Sequence, residues 1–141
     1  AQRVGDGSWD ALLPGELVNL DGRRSWFRAE SIDAELAARC RAGDVHPTGP
    51  LPGEGDAAPL GVAGEIERTA LAPYDAVVAA LRAARLEAAR RPLRVRPESL
   101  DWTLSGDALT LAFGLPAGAY ATAVVRELVA TDTVLQESDD A

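Results

Sequence analysis

At 141 residues and 47% hydrophobic content, the chain can build one ordinary core or two small ones, and its composition is neither collagen-like nor disulfide-rich. A formal charge of -8 opposes general affinity for nucleic acid, which comes mainly from neutralising phosphates. The one cysteine, Cys40, cannot form an internal disulfide, no apolar run reaches the length of a membrane span, and Ala-Gln-Arg-Val-Gly-Asp lacks the order of a signal peptide. A soluble protein of the reducing cytoplasm is therefore expected. The first residue is Ala and there is no Met, so the chain is expected to be a piece of something longer or a cleaved form.

Gly5 to Gly15, with Trp9, Leu12 and Leu13 among turn formers, reads as a short entry segment. Leu17-Val18-Asn19-Leu20 and Ser25-Trp26-Phe27-Arg28 flank Asp21-Gly22-Arg23-Arg24, which predicts an antiparallel hairpin because Asp-Gly tolerates the positive φ of tight turns. Ser31 is placed to cap a helix in which Ile32, Leu36 and Cys40 form one stripe and which Gly43 ends in the left-handed conformation. Cys40 is then a core residue and not a nucleophile.

Positions 43 to 64 carry ten Gly and Pro residues and read as a long loop or linker, ordered in its first half and variable from Glu54 to Gly61. His46 is the only histidine, which excludes a His-pair metal site within this chain. Cys40 and Asp44 beside it do not make a zinc site. Its expected role is a turn residue whose ring hydrogen-bonds the loop; contact with RNA is the functional alternative.

Helical character resumes at Val62, and after Pro73 it places Tyr74, Val77, Val78 and Leu81 at i, i+3, i+4 and i+7, continuing to about Ala89. All fourteen basic residues are Arg, and six of them, Arg82, Arg85, Arg90, Arg91, Arg94 and Arg96, crowd one segment opposed only by Glu87. A charged helix face is most often simply solvated. A run of guanidinium groups along one path nevertheless suits phosphate through bidentate geometry, which makes Arg90, Arg91, Arg94 and Arg96 candidate RNA phosphate contacts. From Leu93 the pattern turns to β: Leu93 to Arg96, Leu100 to Leu104, and Ala108 to Leu115, the last two joined by Ser105-Gly106-Asp107. A composition boundary near Pro92 divides a mostly helical piece from a strand-rich one, and the class is α+β. Residues 131–141, with Asp132, Glu137, Asp139 and Asp140, form an acidic tail expected to be disordered and solvating.

The most informative stretch runs from Leu115 to Leu128. Leu109, Leu111, Phe113 and Leu115 alternate at period two, whereas Tyr120, Val124 and Leu128 recur every four residues, so a strand gives way to a helix across Pro116 to Gly118, with the helix running from Gly118 to about Ala130. The first amides of such a helix lack intrahelical partners, and Tyr120 sits there. The run Leu115-Pro116-Ala117-Gly118-Ala119-Tyr120-Ala121-Thr122 leading into Val125-Arg126-Glu127-Leu128 resembles the closing motif of the TruD family of tRNA pseudouridine synthases, and Gly43-Asp44-Val45-His46-Pro47-Thr48-Gly49-Pro50-Leu51 resembles that family's other long signature. The family usually has Ser where this chain has Ala119 and Phe where it has Tyr120.

The resemblance implies an isomerase that converts a tRNA uridine, uridine 13, to pseudouridine without a cofactor, using an aspartate in a Gly-x-Lys-Asp motif. This chain has no lysine, so no catalytic residue is expected in it; Asp21, Asp44 and Asp101 read as turn or strand-edge acids. The upstream Asn and Gln-Arg-Phe-Gly signature is absent too. The chain then corresponds to a C-terminal fragment: residues 1–92 from the family's inserted domain, 93–130 returning to the catalytic domain's sheet, and the tail 131–141. Its partners would be tRNA and the missing N-terminal part of the same protein, with no membrane and no metal. Tyr120 is the substrate-binding candidate, matching an aromatic implied to contact the substrate uridine; the plain alternative is a ring packed under Phe113. Two rival readings are a non-catalytic RNA-binding or protein-interaction module reusing the fold, and a degenerate remnant without a stable core.

Overall fold

Four short strands pair antiparallel in the order β2-β1-β3-β4, where β1 is Glu16–Leu20, β2 Trp26–Ala29, β3 Val45–Leu51 and β4 Ala89–Pro92. The computed structural model describes residues 2–21, 23–55 and 58–129. Gly22 of the hairpin turn, Ala130 and the acidic tail 131–141 lie outside the described residues. The chain divides between Arg94 and Val95 into two compact units, each with its own sheet.

In the first unit a short helix α1 (Gln2–Gly5) precedes the hairpin predicted from Asp21-Gly22, with Val18 opposite Phe27 and Asn19 opposite Trp26. Helix α2 (Ala34–Ala42) follows, and its cap corrects one expectation. Asp33, not Ser31, is the N-cap: its Oδ1 accepts the Leu36 N–H at 2.7 Å. A capping oxygen sits on the residue just before the helix, two or three residues ahead of the amide it serves, and Ser31 is too early in the chain. Gly43 ends α2 at φ 87°, as the sequence predicts. The stripe of α2 reaches the core, where Ile32 and Leu36 pack on Leu12, Val18, Ala29, Cys40 and Val45.

The largest correction concerns positions 43 to 51. The segment read as loop is a strand in the middle of the sheet, paired with β1 on one side and β4 on the other, and Val45, His46, Pro47 and Thr48 are buried. Proline is normally confined to strand edges because it cannot donate to the ladder. Here the remaining groups carry the pairing: the Pro47 carbonyl accepts the Leu93 N–H at 2.9 Å, and the Thr48 hydroxyl donates to the Leu17 carbonyl.

Helix α3 (Gly61–Leu71), a 3-10 turn at Ala72–Tyr74 that holds Pro73, and helix α4 (Asp75–Ala83) connect β3 to β4. The helical run stops at Ala83 and not near Ala89. Arg85 sits at φ 55° while the Leu86 N–H bonds back to the Leu81 carbonyl at 3.2 Å, so a non-glycine residue occupies the left-handed position of a Schellman ending. Arg90 and Arg91 consequently lie on a strand. The strand expected at Leu93 to Arg96 is found instead at Ala89–Pro92, because pairing with β3 overrides the Ala-rich helical preference. Helix α2 lies against β3 and α3 against β1.

The second unit is a hairpin of β5 (Glu98–Ser105) and β6 (Ala108–Gly114), with Trp102 opposite Leu111 and Leu104 opposite Leu109, followed by helix α5 (Ala121–Leu128). Gly106 makes the turn at φ 62°, and an irregularity between Glu98 and Asp101 includes Ser99 at φ 49°. The whole is α+β. Among the described residues no helix is long and apolar enough to cross a membrane.

Candidate functional site

The chain leaves β6 at Gly114 and reaches α5 through Leu115 to Tyr120. Gly118 adopts φ 87°, and the Ala119 N–H donates to the Pro116 carbonyl at 3.1 Å, which closes a tight turn. Tyr120 is the N-cap of α5, with extended backbone at φ -112° and ψ 126°; its carbonyl accepts the Ala123 N–H at 3.0 Å. Tyr120 is 70% exposed, so its ring is not packed away under Phe113. Ala119 precedes the cap, so the serine oxygen that the related motif carries there is not the capping group of this helix. Of the stripe read in the sequence, Val124 is buried whereas Tyr120 and Leu128 are exposed.

The arginine segment behaves differently from its expectation. The Arg90 side chain is 1% exposed: Nε donates to Thr48 Oγ1 at 2.7 Å, Nη2 to the Thr48 carbonyl at 3.1 Å, and both terminal nitrogens meet the Glu67 carboxylate. Arg94 is also turned inward. Its Nε donates to His46 Nδ1 at 2.9 Å, and Nη2 donates to the carbonyls of Val45 at 2.9 Å and of Cys40. Arg90, its side chain buried, and Arg94, half-buried, hold the sheet together and are withdrawn as phosphate contacts, because each guanidinium is taken up by partners in the fold. Arg91 and Arg96 are exposed.

His46 links the two ends of this network. Arg94 Nε can only donate, so Nδ1 accepts and Nε2 carries the ring proton, directed at Asp21 Oδ1 2.7 Å away. At 4% exposure within β3, the ring is neither in a turn nor placed to touch RNA. Cys40 completes the cluster: burial pushes its thiol above the ordinary range, an effect opposed by Arg94, and Sγ lies 3.3 Å from the Asp10 carbonyl. That is the setting of an inert core thiol. Glu16 is buried as well, its carboxylate accepting from Arg3 Nη1 at 2.5 Å and from the Leu13 N–H at 2.8 Å; burial pushes its carboxyl up and Arg3 opposes the rise. Among the described residues no cluster of His, Cys, Asp and Glu stands ready to hold a metal.

Neither the Arg90–Glu67 pair nor the Arg94–His46–Asp21 chain was legible in the sequence, since the partners lie far apart along it and nothing in periodicity links them. Among the described residues the second unit leaves Tyr120 exposed at the entrance of α5, and each unit keeps an exposed arginine of the segment, Arg91 in the first and Arg96 in the second.

The architecture is that of an α+β piece found in larger proteins: the crystal structure of the putative tRNA pseudouridine synthase D (TruD) from Methanosarcina mazei superposes with a TM-score of 0.62 at 22% identity, over 89% of this chain and 33% of that one. The family described as tRNA pseudouridine synthase D (TruD) matches residues 1–128, and the chain belongs to the TruD family. It is 47% identical over 127 residues to the tRNA pseudouridine synthase D of Aeromonas salmonicida, which covers 90% of this chain and 36% of that protein. The corresponding protein of Nitrosococcus oceani is 43% identical over 133 residues, covering 93% of this chain and 37% of its own length. The chain therefore spans little more than a third of the curated relatives it matches.

Proposed function

We propose that this chain is the C-terminal part of a cytoplasmic enzyme that isomerises uridine to pseudouridine in tRNA, at uridine 13, and that it positions the substrate while the nucleophilic aspartate comes from elsewhere in the protein. The observation that carries the reading is Tyr120: the aromatic of the closing motif is 70% exposed at the mouth of a turn and a helix. The target base must leave its stack before it reacts, and an aromatic face offsets the lost stacking by roughly 1 to 3 kcal/mol. The tyrosine hydroxyl adds one hydrogen-bonding group to that face.

In this reading residues 1–92 belong to the inserted domain and 93–130 to the catalytic sheet. Support comes from the β5–β6 hairpin, which leaves Trp102 64%, Leu104 63% and Leu109 42% exposed. A two-stranded ribbon is marginal by itself, and further strands or a helix would cover this row. Arg91 and Arg96 remain as phosphate contacts, Arg90 and Arg94 having been assigned to the interior.

The test is pseudouridine formation in an unmodified tRNA transcript by the complete gene product and by residues 1–141 alone. Activity in the first and none in the second is the expected pair of results. A complete product that lacks a Gly-x-Lys-Asp segment and leaves the transcript unchanged would replace the enzyme by a non-catalytic RNA-binding module.

A further inference from the structure

Arg90, with a buried side chain, and Arg94, half-buried, are both engaged within the fold, which leaves other exposed residues of the first unit to meet RNA. Strand β2 is the outer edge of its sheet, and β1 lies on its one paired side. Asn19 is opposite Trp26 and Leu17 is opposite Arg28, so Trp26 and Arg28 stand on one face of the edge. Trp26 is 42% exposed, and Arg23, Arg24 and Arg28 around it are exposed.

The turn that presents them is held from beneath. Asn19, 7% exposed, donates through Nδ2 to the Arg23 carbonyl at 2.8 Å and to the Ser25 carbonyl at 3.0 Å. The Asp21 carboxylate is engaged by the His46 ring N–H, and no acidic residue occurs between it and Glu30. Arg28 Nη2 donates to the Ala58 carbonyl at 3.0 Å, which steadies the guanidinium of an exposed side chain. In a chain of net charge -8, three arginines flanking one exposed indole outnumber the exposed carboxylates of Asp21 and Glu30 at the two ends of the segment.

We infer that the exposed edge strand β2, with Arg23 and Arg24 just before it, is a second contact surface for tRNA, with Trp26 stacking on an unpaired base and Arg23, Arg24 and Arg28 contacting phosphates. This rests on the tRNA reading above. An aromatic flanked by cations is the pattern by which proteins hold single-stranded or looped RNA, the ring taking a base and the guanidinium groups the backbone. Charge complementarity favours RNA over a protein strand added to this edge, because approach of a neutral strand would leave the arginines without partners.

The experiment measures binding of an unmodified tRNA transcript to the complete gene product by fluorescence anisotropy over a salt series, with pseudouridine formation followed on the same material. W26A should weaken binding roughly 5- to 150-fold, the effect of losing one stacked base, and W26F should restore most of it. R23A/R24A should lower the slope of log affinity against log salt by about 1.4 to 1.8. Wild-type protein that binds and modifies tRNA, with affinity and slope unmoved in the variants, overturns this inference and leaves the enzyme reading standing. Equal losses in W26A and W26F, or self-association of R23A/R24A with tRNA affinity intact, also overturn it; the second result would give the arginines to protection of a sheet edge. Wild-type protein that neither binds nor modifies tRNA overturns both.

Discussion

Replacing Glu67 by alanine tests whether the Arg90 network holds the first unit together. The Arg90 side chain is 1% exposed and that of Glu67 17%, so E67A removes the carboxylate that both terminal nitrogens of a buried guanidinium meet. Removing one member of a buried ion pair costs about 3 to 5 kcal/mol, far above the roughly 0 to 1 kcal/mol of an exposed pair. The Glu65–Arg68 contact supplies the internal control: at 4.0 Å and with both side chains over 70% exposed, it should be nearly silent when Glu65 is replaced. The assay is urea unfolding of the complete protein followed by tryptophan fluorescence. The double variant E67A/R90M removes the buried charge as well and should recover most of the loss. A cost for E67A no larger than that of E65A, or a double variant as unstable as E67A, would refute the reasoning.

Other expectations follow from single contacts. D33A should cost about 1 kcal/mol through loss of the α2 cap while S31A costs little, a difference read from paired denaturation midpoints. R85G should stabilise by about 1 kcal/mol, because glycine holds the left-handed φ of 55° without strain; a lower midpoint would contradict this. Burial raises the Glu16 carboxyl above its ordinary value of 4.5, so the folded state binds that proton more tightly than the unfolded state. Its contribution is therefore fully present at low pH and is lost as pH rises from 4.5 through the folded value, a fall that E16Q should flatten in a pH series of unfolding curves.

Much of the fold could be read from local chemistry. The first hairpin follows from Asp-Gly between alternating runs, the α2 stripe from the spacing of Ile32, Leu36 and Cys40, and the second hairpin from Ser105-Gly106-Asp107. Strand β3 could not be read in this way, because its prolines and glycines are the residues that ordinarily punctuate loops. They are tolerated there by a hydroxyl and a carbonyl contributed from within the same sheet. The break of α4 at Ala83 was hidden by continued helix-favouring alanines, and only pairing of Ala89–Pro92 with β3 explains it. Site legibility split along the same line. Tyr120 was singled out by its place in the run that resembles the TruD closing motif and not by periodicity, whereas the fates of Arg90 and Arg94 depended on Glu67 and His46, partners set by the tertiary fold. Charge density along the sequence pointed to the buried arginines and away from Trp26 and its neighbours, since sequence alone does not distinguish a surface guanidinium from one enclosed in a network.

The most direct measurement is single-turnover pseudouridine formation by the complete gene product carrying Tyr120→Ala, beside Tyr120→Phe and wild type, with tRNA affinity measured in parallel. If Tyr120 supports the extruded base, Y120A slows the reaction by roughly 5- to 150-fold, the equivalent of about 1 to 3 kcal/mol of stacking, while Y120F stays near wild type and the unfolding midpoint is unchanged. Wild-type rate in Y120A, from a protein that modifies tRNA, would contradict the account.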